Sequence, residues 1–291
     1  MHDHAPTCFM HVPKSAGTSF RIALAAALPP GSLSPKQMEP SSFHSFRAFD
    51  RLGPDARAVV AANDEEIRAL ADHPAVFGHF SLATLAALTP PSRIGTVVRE
   101  PRARLLSHYL YLRLSVSLRT TWAAYGIHTA AEQPLTAFLT EPRVAPATDN
   151  STCRMLLHGD PRIRDAHFIP EAELASVAEA AWERLDELGF VGMLEAPDAA
   201  WRGLGALFGV DLSPARQNVI GEGEIQPEML PVPSLGGAEA LELVERRTAA
   251  DAVLYERIAR RFAGGEEAAR RLADAAFAEQ LVRYGSFTCT K

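Results

Sequence analysis

Lysine is almost missing from this sequence: of 29 basic residues among 291, only Lys14, Lys36 and Lys291 are not arginine. In a chain that uses arginine by default, a lysine in an ordered position marks a place where the wide, planar guanidinium would not serve. Cysteine is equally scarce. Cys8, Cys153 and Cys289 are an odd set without C-x-x-C spacing, which excludes a disulfide framework and a thiolate zinc site, fits a reducing compartment and leaves each as a small buried apolar residue. Positive charge is in deficit, 29 Lys and Arg against 35 Asp and Glu for a net charge of -6. That balance excludes a surface built to hold nucleic acid by bulk electrostatics, so any anionic ligand must meet a local cationic pocket. Also missing are an apolar run of roughly 18 residues, the length of a membrane span, and a basic leader followed by an apolar stretch. The expectation is a soluble protein with no membrane span. No H-E-x-x-H occurs among the ten histidines, and no metal site is expected.

What the sequence has is apolar mass, 47% of residues against 22% charged, enough for a large core. No repeat runs through it. Short apolar runs ended by Gly, Pro or polar residues predict strands at Thr7 to Val12, Ala58 to Ala61, Ala75 to Phe77, Ile94 to Val98 and Phe190 to Met193. Three- and four-residue apolar spacing predicts helices at Thr18 to Leu28, Asp64 to Asp72, Leu82 to Leu88, Arg102 to Leu118 and Glu171 to Leu188. Strands alternating with helices imply an α/β fold, a parallel sheet of about five strands covered on both faces. From residue 199 to 291 the pattern is helical, broken by a Gly/Pro-rich loop from Gly221 to Gly237. With no flexible linker, residues 1–291 read as one domain with a helical C-terminal extension.

The first predicted strand runs through His11-Val12 into Pro13-Lys14-Ser15-Ala16-Gly17-Thr18-Ser19 and then a helix. Strand, tight loop and helix start make an anion site: a glycine allows close backbone approach, and the opening amides of Gly17, Thr18 and Ser19 point a positive dipole end at a phosphate or sulfate. Lys14 adds a point charge. The order does not fit G-x-x-x-x-G-K-[ST], because Lys14 precedes Gly17 and no glycine stands five residues before the lysine. Downstream, Gly95-Thr96-Val97-Val98 ends at Arg99, Pro101 suits a first helical turn, and Ser107 follows Arg99 by eight residues. His79 follows the strand Ala75 to Phe77. Three polar residues at the carboxyl ends of parallel strands converge on one crevice in open α/β sheets. His11 sits within the predicted first strand and reads as a core residue. The Arg246-Arg247 and Arg260-Arg261 pairs read as solvated helix faces.

The segment His11-Val12-Pro13-Lys14-Ser15-Ala16-Gly17-Thr18-Ser19 resembles the 5′-phosphosulfate loop of sulfotransferases that use 3′-phosphoadenosine 5′-phosphosulfate. Arg99 through Tyr109 resembles their 3′-phosphate element, and Gly78-His79-Phe80-Ser81 resembles the histidine segment of the heparan sulfate 2-O-sulfotransferase-like carbohydrate sulfotransferases and their bacterial relatives. Asp149-Asn150-Ser151-Thr152-Cys153-Arg154-Met155-Leu156 is similar to a further stretch of that family, with Cys153 where threonine is common. The likeness extends from about Thr7 to Phe262. It implies a P-loop-type sulfotransferase fold that transfers a sulfuryl group to a hydroxyl of a carbohydrate, glycoconjugate or small molecule, releasing adenosine 3′,5′-bisphosphate without a metal. Lys14, Ser15, Ala16, Gly17, Thr18, Ser19, Arg99 and Ser107 would hold the donor. Lys14 and His79 would be catalytic, and His79 and Arg154 would face the acceptor. The family's animal members carry a Golgi anchor, whereas no such stretch occurs here, so a cytoplasmic enzyme of bacterial type is expected. The alternatives are a kinase using ATP and a catalytically silent nucleotide-binding protein.

Overall fold

Each strand is a run of four or five apolar or small residues, too short for a helix and rich in the Val, Ile and Phe that suit a pleated, covered surface. The computed structural model describes residues 5–46, 51–115, 126–212 and 229–288. It contains β1 (Thr7–Met10), β2 (Ala75–Gly78), β3 (Ile94–Val98) and β4 (Phe190–Met193). They form one parallel sheet in the order β2-β1-β3-β4, with Cys8 opposite both Val76 and Ile94, and Val98 opposite Met193. The expected fifth strand, Ala58 to Ala61, is a correction. Its first residue ends the helix Pro54–Ala58, and Val60 makes a single bridge to Met38, which also bridges His79. One bridge on each side of Met38 extends the sheet edge without building a ladder.

Side chains alternate along the strands, so the sheet buries two faces. Phe9, Phe77 and Val97 pack with α1 (Gly17–Ala27). Cys8, Met10, Val76, Val98 and Met193 face the opposite core, where α3 (Ser151–Leu156) and α4 (Leu174–Asp186) pack, while α2 (Pro101–Leu114) follows β3 in the chain. The predicted helix at Asp64 to Asp72 is an α-helical turn followed by a 3₁₀ turn. The helical C-terminal region comprises α5 (Pro197–Phe208), α6 (Gly237–Ala263) and α7 (Glu266–Thr288). Of these, α5 covers the α1 face of the sheet, while α6 and α7 enclose α2 in a third cluster of Leu105, Tyr109, Val244 and Tyr284. Arg102 clamps that assembly through Glu100, Glu245 and Asp274 at 2.6, 3.0 and 3.2 Å. Residues 221–228 of the predicted 221–237 loop, the distal turn of the predicted Arg102 to Leu118 helix, and Cys289 fall outside the described residues. Cys8 and Cys153 are both buried. Among the described residues no helix is long and apolar enough to cross a membrane.

Candidate anion-binding active site

In this strand order β1 lies between β2 and β3, so the chain departs from β1 toward one side and returns on the other. The crevice at the carboxyl ends of β1 and β3 is thus the topological switch point, where open parallel sheets receive ligands. Thr96 ties the two ends together by donating its hydroxyl to Met10 O at 2.8 Å. After β1 the backbone turns left-handed at Lys14, φ 69°, and again at Ala16, φ 60°. Left-handed conformations at non-glycine residues cost about 1 kcal/mol or more each and persist where the surroundings enforce them. An alternation of left-handed and ordinary residues is the backbone pattern of anion-binding concavities; within it, Ser15 N–H bonds Val12 O at 3.3 Å.

The loop leads directly into α1. That helix begins without a side-chain cap or an acidic residue in its first turn, and its first i→i−4 bond is Phe20 N–H to Ala16 O at 3.2 Å. Asn63, Ser81 and Glu100 cap other helices, whereas α3 and α4, like α1, begin without a side-chain cap or a first-turn acid. Ser15 is fully buried, and its hydroxyl has no hydrogen-bond partner among the described residues. Gly17 is required here for a reason the sequence did not reveal. Its φ is ordinary, but a Cβ there would land inside the His11 ring.

Lys14 directs its ammonium over the Tyr111 ring, 4.0 Å from the centroid. Burial and the neighbouring charges of Arg99 and Arg283 pull its pKa from 10.5 down to about 7. A lysine so placed favours an arriving anion over solvent. Arg99 stands beside it, donating to Lys14 O at 3.3 Å and, through Nη2, to Gln280 Oε1 of α7 at 2.9 Å. Burial lowers its pKa while Glu195 counteracts. Ser107 lies two helical turns along α2, 7% exposed.

His79 closes the other side. Its N–H donates to Gln37 O at 2.7 Å, and its carbonyl accepts from Ser42 Oγ at 2.8 Å. The segment bearing these partners is fixed by Glu39, which accepts from Ser81 N–H at 2.9 Å and from the hydroxyls of Ser41 and Thr84. His79 Nδ1 lies 2.8 Å from His11 O. A carbonyl only accepts, so Nδ1 carries the proton and the neutral ring presents Nε2 as its lone pair. The His11 ring stacks on His79 at 4.2 Å. Burial first, then the Lys14 charge, hold the His79 pKa down at about 4 against the opposing bond to His11. His11, expected inside the strand, instead follows it and forms the floor of the site.

The structure therefore brings together Lys14, Ser15, Ala16, Gly17, Thr18, Ser19, Arg99 and His79 at adjoining strand ends. It gives Arg154 a different setting. That guanidinium pairs with Asp149 at 2.7 Å and donates to the carbonyls of Asp149, Arg164 and His167. An arginine committed to these partners buttresses the loop after α3, which corrects the expectation that it faces an acceptor. Asn150 accepts from Ala250 and Asp251 N–H, and Cys153 N–H donates to Asp251. The backbone thus supplies the local hydrogen bonding that a threonine would share. Sequence reasoning missed Gln280 and His44.

Comparison with protein-family models, curated proteins and solved structures finds no match for this chain.

Proposed function

We propose that this protein is a sulfotransferase of the P-loop-type fold, moving a sulfuryl group from 3′-phosphoadenosine 5′-phosphosulfate to an acceptor hydroxyl. The observation that carries the reading is the loop after β1. Left-handed Lys14 and Ala16 lead into an uncapped helix start, and the half-buried Lys14 ammonium has its charge opposed by Arg99 and Arg283. Such a cradle suits a bridging phosphate oxygen that gains negative charge as it leaves. The resemblance of this loop, of Arg99 with Ser107, and of the His79 segment to the carbohydrate sulfotransferases supports the donor's identity.

The donor supplies an activated sulfuryl group. His79 Nε2 takes the proton of the acceptor hydroxyl, its tautomer set by the His11 carbonyl,. Lys14 and the loop amides receive the charge that develops on the leaving phosphate. Two guanidinium N–H groups of Arg99 are engaged by Lys14 O and Gln280, leaving others for the remote 3′-phosphate together with Ser107 Oγ. Anchoring that end orients the reacting centre.

The test is incubation with donor labelled in the sulfate and a panel of sugars, glycoconjugates and small alcohols, read by mass spectrometry. Labelled product together with adenosine 3′,5′-bisphosphate is expected. Phosphorylated product with ATP and magnesium would establish a kinase instead, and binding without any transfer would establish a silent nucleotide-binding protein.

A further inference from the structure

A glutamine side chain is mostly found in water, yet the C-terminal helix α7 buries one. Along Glu266–Thr288 the buried residues are Ala269, Gln280 and Tyr284, and the rest are half-buried or exposed. Phe277, Gln280 and Tyr284 follow one another at helical spacing on one face. That face is turned to α2: the Arg102 guanidinium lies over the Phe277 ring at 4.5 Å, and the Tyr284 ring stacks on Tyr109 with centroids 6.4 Å apart. Gln280, between them, is 2% exposed.

Its amide is oriented by Arg99. Nη2 of that arginine donates to Gln280 Oε1 at 2.9 Å, and since a guanidinium only donates, the atom facing it must be the amide oxygen. The two Nε2 hydrogens therefore lie on the other arm of the amide. Nε2 is buried and has no hydrogen-bond partner among the described residues. Arg99 Nη1 donates to Lys14 O at 3.3 Å, so the guanidinium joins the amide to the phosphate loop. A buried donor with nothing to bond is costly, and a missing ligand is one of the few reasons a fold keeps one.

We propose that Gln280 Nε2 donates to the same phosphate that Arg99 binds, so that α7 supplies a third polar contact to the donor's 3′-phosphate beside Arg99 and Ser107. The inference rests on the sulfotransferase reading and adds a residue to its donor site. Bonds to a charged oxygen are the stronger kind. An amide contributes such a bond without placing a further cation beside Lys14 and Arg99, where like charge would raise the electrostatic cost of the empty site.

Two measurements on the full chain test this, with adenosine 3′,5′-bisphosphate and AMP as probes. Gln280→Met, which keeps the length of the side chain without its donors, should weaken bisphosphate binding about tenfold and leave AMP binding unchanged. The second is magnetic resonance of native protein isotope-labelled at its glutamine side-chain amides. The Nε2 signals that vanish in Gln280→Met should move with the bisphosphate, one hydrogen shifting downfield as it bonds an anion, and stay in place with AMP. That readout separates a direct contact from support of Arg99 alone. An unchanged bisphosphate-to-AMP preference in Gln280→Met overturns the proposal. Equal losses for both nucleotides, or Gln280 signals that the bisphosphate leaves unmoved, would make the residue a packing or positioning one and overturn it as well. A native protein that binds the bisphosphate no better than AMP contradicts the sulfotransferase reading itself, and this inference falls with it.

Discussion

Between pH 7.5 and 9, Lys14 is the group in the phosphate loop that changes charge. Burial beside Arg99 and Arg283 places its pKa at about 7 in the free protein, so roughly a quarter of the molecules carry the ammonium at pH 7.5 and about one in a hundred at pH 9. A bound phosphate restores the lysine proton, because an adjacent anion favours the charged form. Phosphate monoesters have a second pKa of about 6, so the ligand's own charge is constant over this interval. The affinity for adenosine 3′,5′-bisphosphate should then fall about twentyfold from pH 7.5 to 9, close to 2 kcal/mol. Binding should take up nearly one proton per complex. Isothermal titration in HEPES and in Tris, buffers of different ionisation enthalpy, measures both quantities. Lys14→Arg, charged throughout, should show a weaker but pH-independent affinity. A native affinity that is flat across the interval, or binding without proton uptake, would refute the placement of Lys14 against the ligand.

The same burial makes Lys14 a cost to the fold. Its folded pKa of about 7 lies below the ordinary 10.5, so the penalty is full below pH 7 and fades as pH rises toward 10.5. Allowing for partial solvent screening, Lys14→Met should stabilise the protein by about 2 kcal/mol at pH 6 and by little above pH 10, read from denaturant melts; a destabilised variant at pH 6 would contradict this. His79→Ala should lose about 10²- to 10⁴-fold in turnover with bisphosphate affinity unchanged. In the native enzyme the acid limb of kcat/KM should fall near pH 4, where His79 takes a proton, and a limb at 6.5 would point to a different base. Gly17→Ala should destabilise by roughly 2 kcal/mol or more through its clash with the His11 ring,. His11→Ala should relieve most of that in the double variant, and additive losses would show that the ring is not the obstacle.

The strands were readable where apolar runs were short and ended at a polar residue, as at Ile94–Val98 and Phe190–Met193. Ala58 to Ala61 misled because β character says nothing of a partner, and the partner here is Met38, itself an isolated bridge. Lys14, His79 and Arg99 were legible from their places after strands. The role of Gly17 was not, because it depends on an imidazole six positions earlier folding back beneath the loop. β1 stops at Met10, one residue before His11, whose N–H still bonds Gly78 O at 2.9 Å. His44 gave no local signal at all, since its backbone strain and its nearness to His79 come from the long segment between α1 and β2. Arg154 was read toward the site because its neighbours resemble a family stretch, yet Asp149 five residues before it holds the guanidinium.

Of the alternatives set out above, the nucleotide chosen by the site decides most directly. Calorimetric titration of the native protein with adenosine 3′,5′-bisphosphate, AMP, and ATP with magnesium should give the tightest binding for the bisphosphate. Arg99→Ala should remove roughly 2 to 4 kcal/mol of that binding and most of the preference over AMP. Equal affinity for the bisphosphate and AMP, tighter binding of ATP with magnesium, or a preference untouched by Arg99→Ala would contradict the assignment of this crevice to a 3′-phosphorylated sulfuryl donor.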